Sequence, residues 1–148
     1  MALSKASLKS ALEAFFGNLP SPCTHAACAQ EWADALEDYA SDVVPPSSAA
    51  AAAGAALQAA LAAAFATPAA AAAMDAAFQT FATTLGAGMA PAFVATPPAT
   101  PVGWPTLMLP PFETTHAGAA QKMADAIDAW MKTGTAVPSG GGAAAPWS

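Results

Sequence analysis

Residues 24–43, THAACAQEWADALEDYASDV, are the stretch of the chain that decides the fold. Their large apolar side chains recur every three or four residues, which places them on one face of an α-helix. They are Cys28, Trp32, Leu36, Tyr39 and Val43. Acidic residues occupy the other faces, and Thr24 is a suitable N-cap residue. The stretch therefore predicts an amphipathic helix from about Thr24 to Val43 that packs on other helices.

Four further helices are predicted on the two sides of this stretch. Apolar residues recur at helical spacing in each of them, and glycine or proline follows the predicted ends. The expected helices run over residues 4–16, from Ser47 or Ser48 to Ala66, from Thr67 to Leu85, and over residues 116–132. Their expected N-caps are Ser47 or Ser48 for the third helix, Thr67 before Pro68 for the fourth, and Thr115 for the last.

Residues 89–113 break the helical pattern, because they contain seven prolines, which cannot continue a helix. Large apolar side chains lie among these prolines, which is not typical of a solvated linker. We therefore expect an extended arm that packs either across the chain's own helices or against a neighbouring molecule. The candidate interface residues are Phe93, Trp104, Leu107, Met108, Leu109 and Phe112 in the arm, together with Trp147.

The expected fold class is all-α, a small bundle of four to five alanine-rich helices with a long proline-rich extended arm before the last helix. Residues 1–135 are predicted to form a single helical domain that includes the arm. Residues 136–148 contain three consecutive glycines and are expected to form a flexible tail. This tail ends in an aromatic anchor, Trp147.

Charge and hydropathy exclude two classes of partner. The chain carries a net charge of −6, and its four basic residues are all lysines. Because affinity for nucleic acid comes largely from cationic contacts to phosphates, no nucleic-acid role is expected, and the same deficit argues against an anionic membrane surface. The alanine-rich residues 49–66 are interrupted by Gln58 and are expected to form an amphipathic helix rather than a membrane span. No secretory signal is recognised, so assembly in a cytoplasm is expected.

Residues that carry catalytic or metal chemistry are few. His25 with Cys28 makes at most half of a metal site, and only Cys23 and His116 are left as a second pair. The paired carboxylates are Glu37 with Asp38 and Asp125 with Asp128, which lie on polar helix faces and are interpreted as solvated. We therefore expect neither an enzyme nor a bound cofactor or metal.

Cys23 and Cys28 flank the predicted start of the second helix, five residues apart. Two states of this pair remain open, a disulfide that closes a short loop and two free or buried thiols. A loop this short stabilises a fold by about 2 kcal/mol at most in the chain-entropy picture.

Three parts of the chain together resemble small alanine- and proline-rich proteins of tailed bacteriophages of high-GC hosts. They are WADALEDYA (32–40) with VVPPS (43–47), FATTLGAGMAPAFV (81–94) with TPP (96–98) and PVGW (101–104), and AIDAWMKTG (126–134) with PWS (146–148). The resemblance implies a structural component of the virion, in the tail, baseplate or neck, assembled in the host bacterial cytoplasm. It further implies several copies around a symmetry axis, contacts with other virion proteins, and no cofactor or catalysis. No site residue carries over from it.

A second hypothesis is a helical adaptor or chaperone-like module that binds a single protein partner. A monomer in solution that forms a one-to-one complex is expected in that case, whereas a virion subunit is expected to associate with copies of itself or with a symmetric ring.

Overall fold

The computed structural model describes residues 2–18, 23–111 and 113–148, and within these ranges the chain forms six helices and three short strands. The helices are α1 (Lys5–Gly17), α2 (His25–Ser41), α3 (Ala50–Phe65), α4 (Ala70–Ala87), α5 (Trp104–Leu107) and α6 (His116–Met131). The strands are β1 (Phe93–Thr96), β2 (Thr135–Pro138) and β3 (Ala145–Pro146). The mostly helical fold that the sequence predicts is confirmed, although it is not purely α-helical.

Capping side chains explain where three of the helices begin. The hydroxyl of Thr24 accepts a hydrogen bond from the backbone N–H of Ala27 at 3.1 Å. The hydroxyl of Thr115 accepts one from Gly118 at 3.0 Å, and Ser4 caps α1 in the same way. Each bond satisfies an N–H that has no partner inside its own helix. The predicted caps of α2 and α6 are therefore confirmed.

Ser47 and Ser48 do not cap α3, contrary to the prediction. Ala49 stands at the N-cap position, and no side chain bonds to the first turn. The hydroxyl of Ser47 donates to the carbonyl oxygen of Leu85, and that of Ser48 donates to the carbonyl oxygen of Gly88 at 3.1 Å. The two serines instead tie the loop before α3 to the end of α4, whose last carbonyl groups need donors.

Thr67 ends α3 and does not start α4. Its hydroxyl and its backbone N–H both donate to the carbonyl oxygen of Ala64, at 2.8 and 3.0 Å. The N-cap position of α4 is Ala69, so Pro68 lies in the turn between the two helices. The predicted cap is wrong because a threonine hydroxyl can satisfy the carbonyl end of one helix as well as the N–H end of the next.

A cluster of aromatic rings forms the centre of the core. The ring of Trp32 on α2 packs edge-on against Phe78 on α4 and Trp104 on α5, with centroid distances of 6.0 and 5.5 Å. Phe78 also packs against Trp130 on α6, and Phe15 on α1 packs against Trp32, each at 6.1 Å. Such pairs contribute roughly 0.5–1.5 kcal/mol each beyond the area they bury. Five helices therefore meet at one cluster.

The sheet is the element that the sequence interpretation missed. Its three strands are antiparallel in the order β1-β2-β3, with Val94 opposite Val137 and Thr135 opposite Pro146. The three strands are only two to four residues long, so no alternating pattern was visible in the sequence. The sheet joins the segment after α4 to the residues after α6.

Residues 136–148 belong to the fold, so their prediction as a flexible tail is wrong. The backbone N–H of Trp147 donates to Gly134 at 2.9 Å, and the backbones of Ser148 and Val44 exchange two hydrogen bonds of 2.7 and 3.1 Å. The indole ring of Trp147 is wholly buried. The predicted boundary at residue 135, between a helical domain and a tail, therefore does not mark the end of the folded unit.

Glycine provides the space that the Trp147 ring occupies. A Cβ atom added to Gly134 would lie 2.7 Å from Cδ2 of that ring, and one added to Gly86 would lie 3.3 Å from its Cζ2 atom. At both positions, at the end of α4 and just after α6, backbone without a side chain faces the ring. These two glycines, which read as helix terminators in the sequence, also form the walls of a pocket for tryptophan.

The proline-rich residues 89–113 do not form one long extended arm, because β1 and α5 lie within them. The Asp75 carboxylate on α4 accepts the backbone N–H groups of Gly103 and Trp104, at 2.8 and 3.1 Å. Trp104 is wholly buried. The middle of this segment is thus held against the chain's own helices.

Replacing Trp147 by alanine is expected to lower the free energy of unfolding by about 3–5 kcal/mol, as for other buried tryptophans. Trp147→Phe should cost less than half as much, because the indole N–H has no hydrogen-bond partner within the described residues. Chemical denaturation monitored by circular dichroism measures both values. The control is Val94→Ala, an exposed position where a change below about 0.5 kcal/mol is expected. A Trp147→Ala variant as stable as the parent protein would contradict the buried position of this ring.

Candidate interaction surface

The candidate interface residues fall into buried and exposed groups. Trp104 and Trp147 are wholly buried in the chain's own core and offer no surface to a neighbour. Phe93 and Leu107 are half-buried, and Phe112 lies outside the described residues. The exposed members are Met108 and Leu109, with exposed fractions of 42% and 58%. The surface that a partner can reach is therefore much smaller than the sequence interpretation proposed, and it centres on these two residues.

Beside Met108 lies an apolar groove with a volume of about 310 Å³. We call it the methionine groove, and it is lined by Phe15, Phe16, His25, Cys28, Trp32, Phe65, Met74, Met108 and Met123. It forms where the end of α1, the start of α2, the end of α3 and the start of α4 come together. The sequence placed most of these residues on separate helices, with Met108 in the proline-rich arm and His25 beside Cys28 at a helix start. The single available signal was that four consecutive stripes all carry large side chains at the same end of the bundle.

A smaller hollow of about 150 Å³ continues the groove along α6. Met108 and Met123 line both depressions, so the two form one surface. The smaller hollow also contains the side chains of Lys122 and Glu113, one cation and one anion. We call these two residues the charged rim of the groove.

A disulfide joins Cys23 to Cys28, with a Cα–Cα distance of 6.3 Å. The structure thus has the pair in one of the two states that the sequence left open. Because both sulfur atoms are bonded to each other, neither is available as a thiolate ligand beside His25 or His116. Among residues 2–18, 23–111 and 113–148, no three His, Cys, Asp or Glu side chains are grouped closely enough to hold a metal ion.

Asp128 is buried, which corrects its interpretation as a solvated carboxylate beside Asp125. Its Oδ1 atom accepts a hydrogen bond from the hydroxyl of Tyr39 at 2.8 Å, and its Oδ2 atom lies 2.8 Å from Nζ of Lys132. Asp125 remains exposed and pairs with Lys5 at 2.8 Å, and the Lys5 ammonium holds the pKa of that carboxyl below its usual range. The two carboxylates therefore do not share a site.

A polar hollow of about 280 Å³ lies between α1 and α2, and Tyr39 forms part of its lining. Its polar lining residues are Ser4, Ser7, Asp38, Tyr39, Ser41 and Asp42. This lining contains neither a histidine nor a cation, and the Tyr39 hydroxyl is held by Asp128. The hollow presents hydroxyls and carboxylates, with Ser7 donating to the Ser4 hydroxyl and Ser41 donating to the backbone carbonyl of Asp38.

Helices α3 and α4 expose an almost uncharged surface. Between Asp42 and Glu113 the only charged residue is Asp75, which faces the backbone of Gly103. The exposed threonine hydroxyls of α4 donate to carbonyl groups of their own helix, as at Thr80. No helix within the described residues combines the length and the hydropathy that a membrane span requires. Asp75 is thus the only charged residue of these two helices.

Comparisons with protein-family models, with curated proteins and with solved structures find no match to this chain. The geometry of its own surfaces is therefore the basis for a functional proposal.

Tyr39 makes stability sensitive to alkaline pH. Burial and the hydrogen bond to Asp128 raise the pKa of this phenol far above its usual value of about 10. A raised folded-state pKa means that the contribution to stability is present below pH 10 and is lost as the pH rises above that value, where the unfolded chain ionises. We expect the free energy of unfolding to fall by up to about 1.4 kcal/mol per pH unit in this window.

Tyr39→Phe is the matched control, since it should remove this part of the pH dependence and cost about 1.5–3 kcal/mol at neutral pH. Tyr39 is the only tyrosine in the chain, so tyrosinate absorbance reports on it alone. The tyrosinate signal should appear together with unfolding. Ionisation of Tyr39 near pH 10 in the folded protein would contradict its burial.

Reducing the disulfide should have a modest effect, because it closes a loop with a sequence separation of only 5. In the chain-entropy picture we expect a loss of about 2 kcal/mol at most. Comparing the parent protein with Cys23→Ser/Cys28→Ser by denaturation measures the loss, and thiol reductant should not change the stability of that double variant. Complete unfolding after reduction would show that the bond does more than close a short loop.

Proposed function

We propose that the protein is a structural subunit of a phage or phage-like particle, in its tail, baseplate or neck, and that it acts through protein–protein contacts. The resemblance of its three sequence stretches to small virion proteins supports the kind of particle. The methionine groove supports the mode of action. No catalytic role or bound cofactor is part of this proposal.

The observation that carries the proposal is the methionine groove, which Met108 lines, together with the exposed side chain of the next residue, Leu109. Met108 is 42% exposed and Leu109 58% exposed, which exposes apolar area to water next to an apolar hollow. Grooves of this volume and composition bind either a small ligand or an apolar protein segment. Among the described residues of the lining, His25 is the only one with a polar side chain, so few of these groups can orient a small polar ligand. A protein segment is the better fit.

The distribution of charge also agrees with a subunit that is surrounded by other proteins. Monomeric surfaces usually carry charged residues of both signs throughout. Here the charges are concentrated on α1, α2 and α6, whereas α3 and α4 contain only Asp75. A largely uncharged side can lie against a neighbouring protein without burying charges that would need partners.

A helical adaptor that binds one protein partner is the second candidate. The three methionines of the groove, Met74, Met108 and Met123, favour it. Methionine side chains are flexible and polarizable and adapt to different apolar partners. The two candidates differ in stoichiometry, since a particle subunit occurs at a constant ratio to other particle proteins and an adaptor forms a one-to-one complex.

Particles purified on a density gradient from the organism that encodes this protein provide the test. Quantitative mass spectrometry should find the protein at a constant ratio to the other particle proteins in every particle-containing fraction. Replacing the parent protein with Leu109→Lys should reduce its incorporation several-fold, because a buried unpaired charge is costly. The control Val94→Lys, at an exposed apolar site on β1, should be incorporated normally.

Finding the protein only outside the particle fractions would overturn the structural role. A stable one-to-one complex with a single protein in those fractions would instead support the adaptor.

A further inference from the structure

We propose that the methionine groove binds a second copy of this chain through a two-fold symmetric contact. This inference rests on the proposed structural role and names the contact by which that role begins. In a two-fold contact the same patch is used on both copies, so it must contain both a projecting part and a receiving part. The patch around Met108 contains both.

The projecting part is formed by Met108 and Leu109, directly after α5. The exposed large apolar residues in the described chain are Val44, Val94, Met108 and Leu109, and only the last two are adjacent to each other. Met108 itself lines the groove, and the exposed Leu109 is the next residue along the chain. When two copies face each other, each copy can place Leu109 in the groove of the other.

The receiving part has the right chemistry for an aliphatic side chain. Seven of the nine lining residues that the structure describes are Phe, Trp or Met, and none of the nine is a carboxylate or an amine. Methionine side chains adjust their shape to the group that enters, and aromatic side chains supply a large contact area. The disulfide holds Cys28 and His25 at the wall of the groove, which limits the ordering that binding would otherwise require.

The charge around the groove is compatible with a second copy. Two chains of net charge −6 repel each other over most of their surface, so a contact between them is favoured at a patch where the local charge is balanced. The charged rim provides that balance, because Lys122 and Glu113 line the same hollow. The salt bridges within the described residues involve other lysines, Lys5 and Lys132, and neither Lys122 nor Glu113 takes part in one of them. Two-fold symmetry allows Lys122 of each copy to lie opposite Glu113 of the other.

Sedimentation velocity of the full chain with its disulfide intact tests the contact. We expect a monomer–dimer equilibrium whose dimer fraction increases with protein concentration. Leu109→Lys should weaken the dimer at least about tenfold, since it places a charge in an apolar groove. Val94→Lys adds the same charge at another exposed apolar position and should leave the dissociation constant unchanged. Thermal unfolding of each variant checks that the fold is kept.

Reversing the charged rim provides a second test that a loss of folding cannot imitate. Lys122→Glu should place two carboxylates together and weaken the dimer by about three- to tenfold at low salt, because two pairs are lost per dimer. Combining it with Glu113→Lys restores opposite charges and should restore the dissociation constant. Both effects should shrink in high salt, where exposed charges are screened.

A chain that remains monomeric up to millimolar concentration would overturn the self-contact, as would a dimer whose dissociation constant ignores both Leu109→Lys and the rim reversal. Cross-links from position 109 to a different protein in purified particles would assign the groove to that protein instead. A monomer that is still present in particles at a constant ratio removes only the self-contact. A dimer that is absent from particles removes only the structural role.

Discussion

The packing of Trp32 against Phe78 and Trp104 is the interaction on which the rest of the structure depends. Alanine buries little area, so helices built mainly from alanine gain little free energy from their own contacts. The aromatic cluster supplies the missing burial at one place, and it draws on α1, α2, α4, α5 and α6 at once. The cluster therefore holds the helices in one arrangement, although their alanine-rich faces alone would gain little free energy from packing together.

That cluster also explains why the proline-rich segment is ordered. Trp104 enters the core only because the chain before it turns at Gly103, which has a φ of +92°. Asp75 accepts the N–H groups at this turn, and the carbonyl of Thr100 accepts the indole N–H of Trp130 at 2.7 Å. Side chains of α4 and α6 thus fix a segment whose own helix, α5, is only four residues long. Met108 and Leu109 lie four and five residues after Trp104, so the same contacts determine their position relative to the groove.

Several parts of this structure were predictable from local signals. The α2 stripe and the Thr24 and Thr115 caps each depend on residues only a few positions apart, where spacing alone is informative. The disulfide between Cys23 and Cys28 was one of two states that the spacing left open. The exposed pair Met108 and Leu109 was also among the candidate interface residues. In contrast, the predicted N-caps of α3 and α4 are wrong. The hydroxyls of Ser47 and Thr67 donate instead to backbone carbonyl groups, which the local pattern does not identify as their partners.

By itself, the sequence determined that the chain is mostly helical, where most helices lie, and that charge is nearly absent between Asp42 and Glu113. These are properties of local spacing and composition. Only the tertiary structure decided that Trp147 is a core residue, that Asp128 is buried beneath Tyr39, and that four helix ends surround one groove. Each of these depends on contacts between residues far apart in the chain. The residues near Trp147 in the sequence, among them three glycines, are the same whether or not Gly86 and Gly134 leave space for its ring, so the local sequence does not predict its burial.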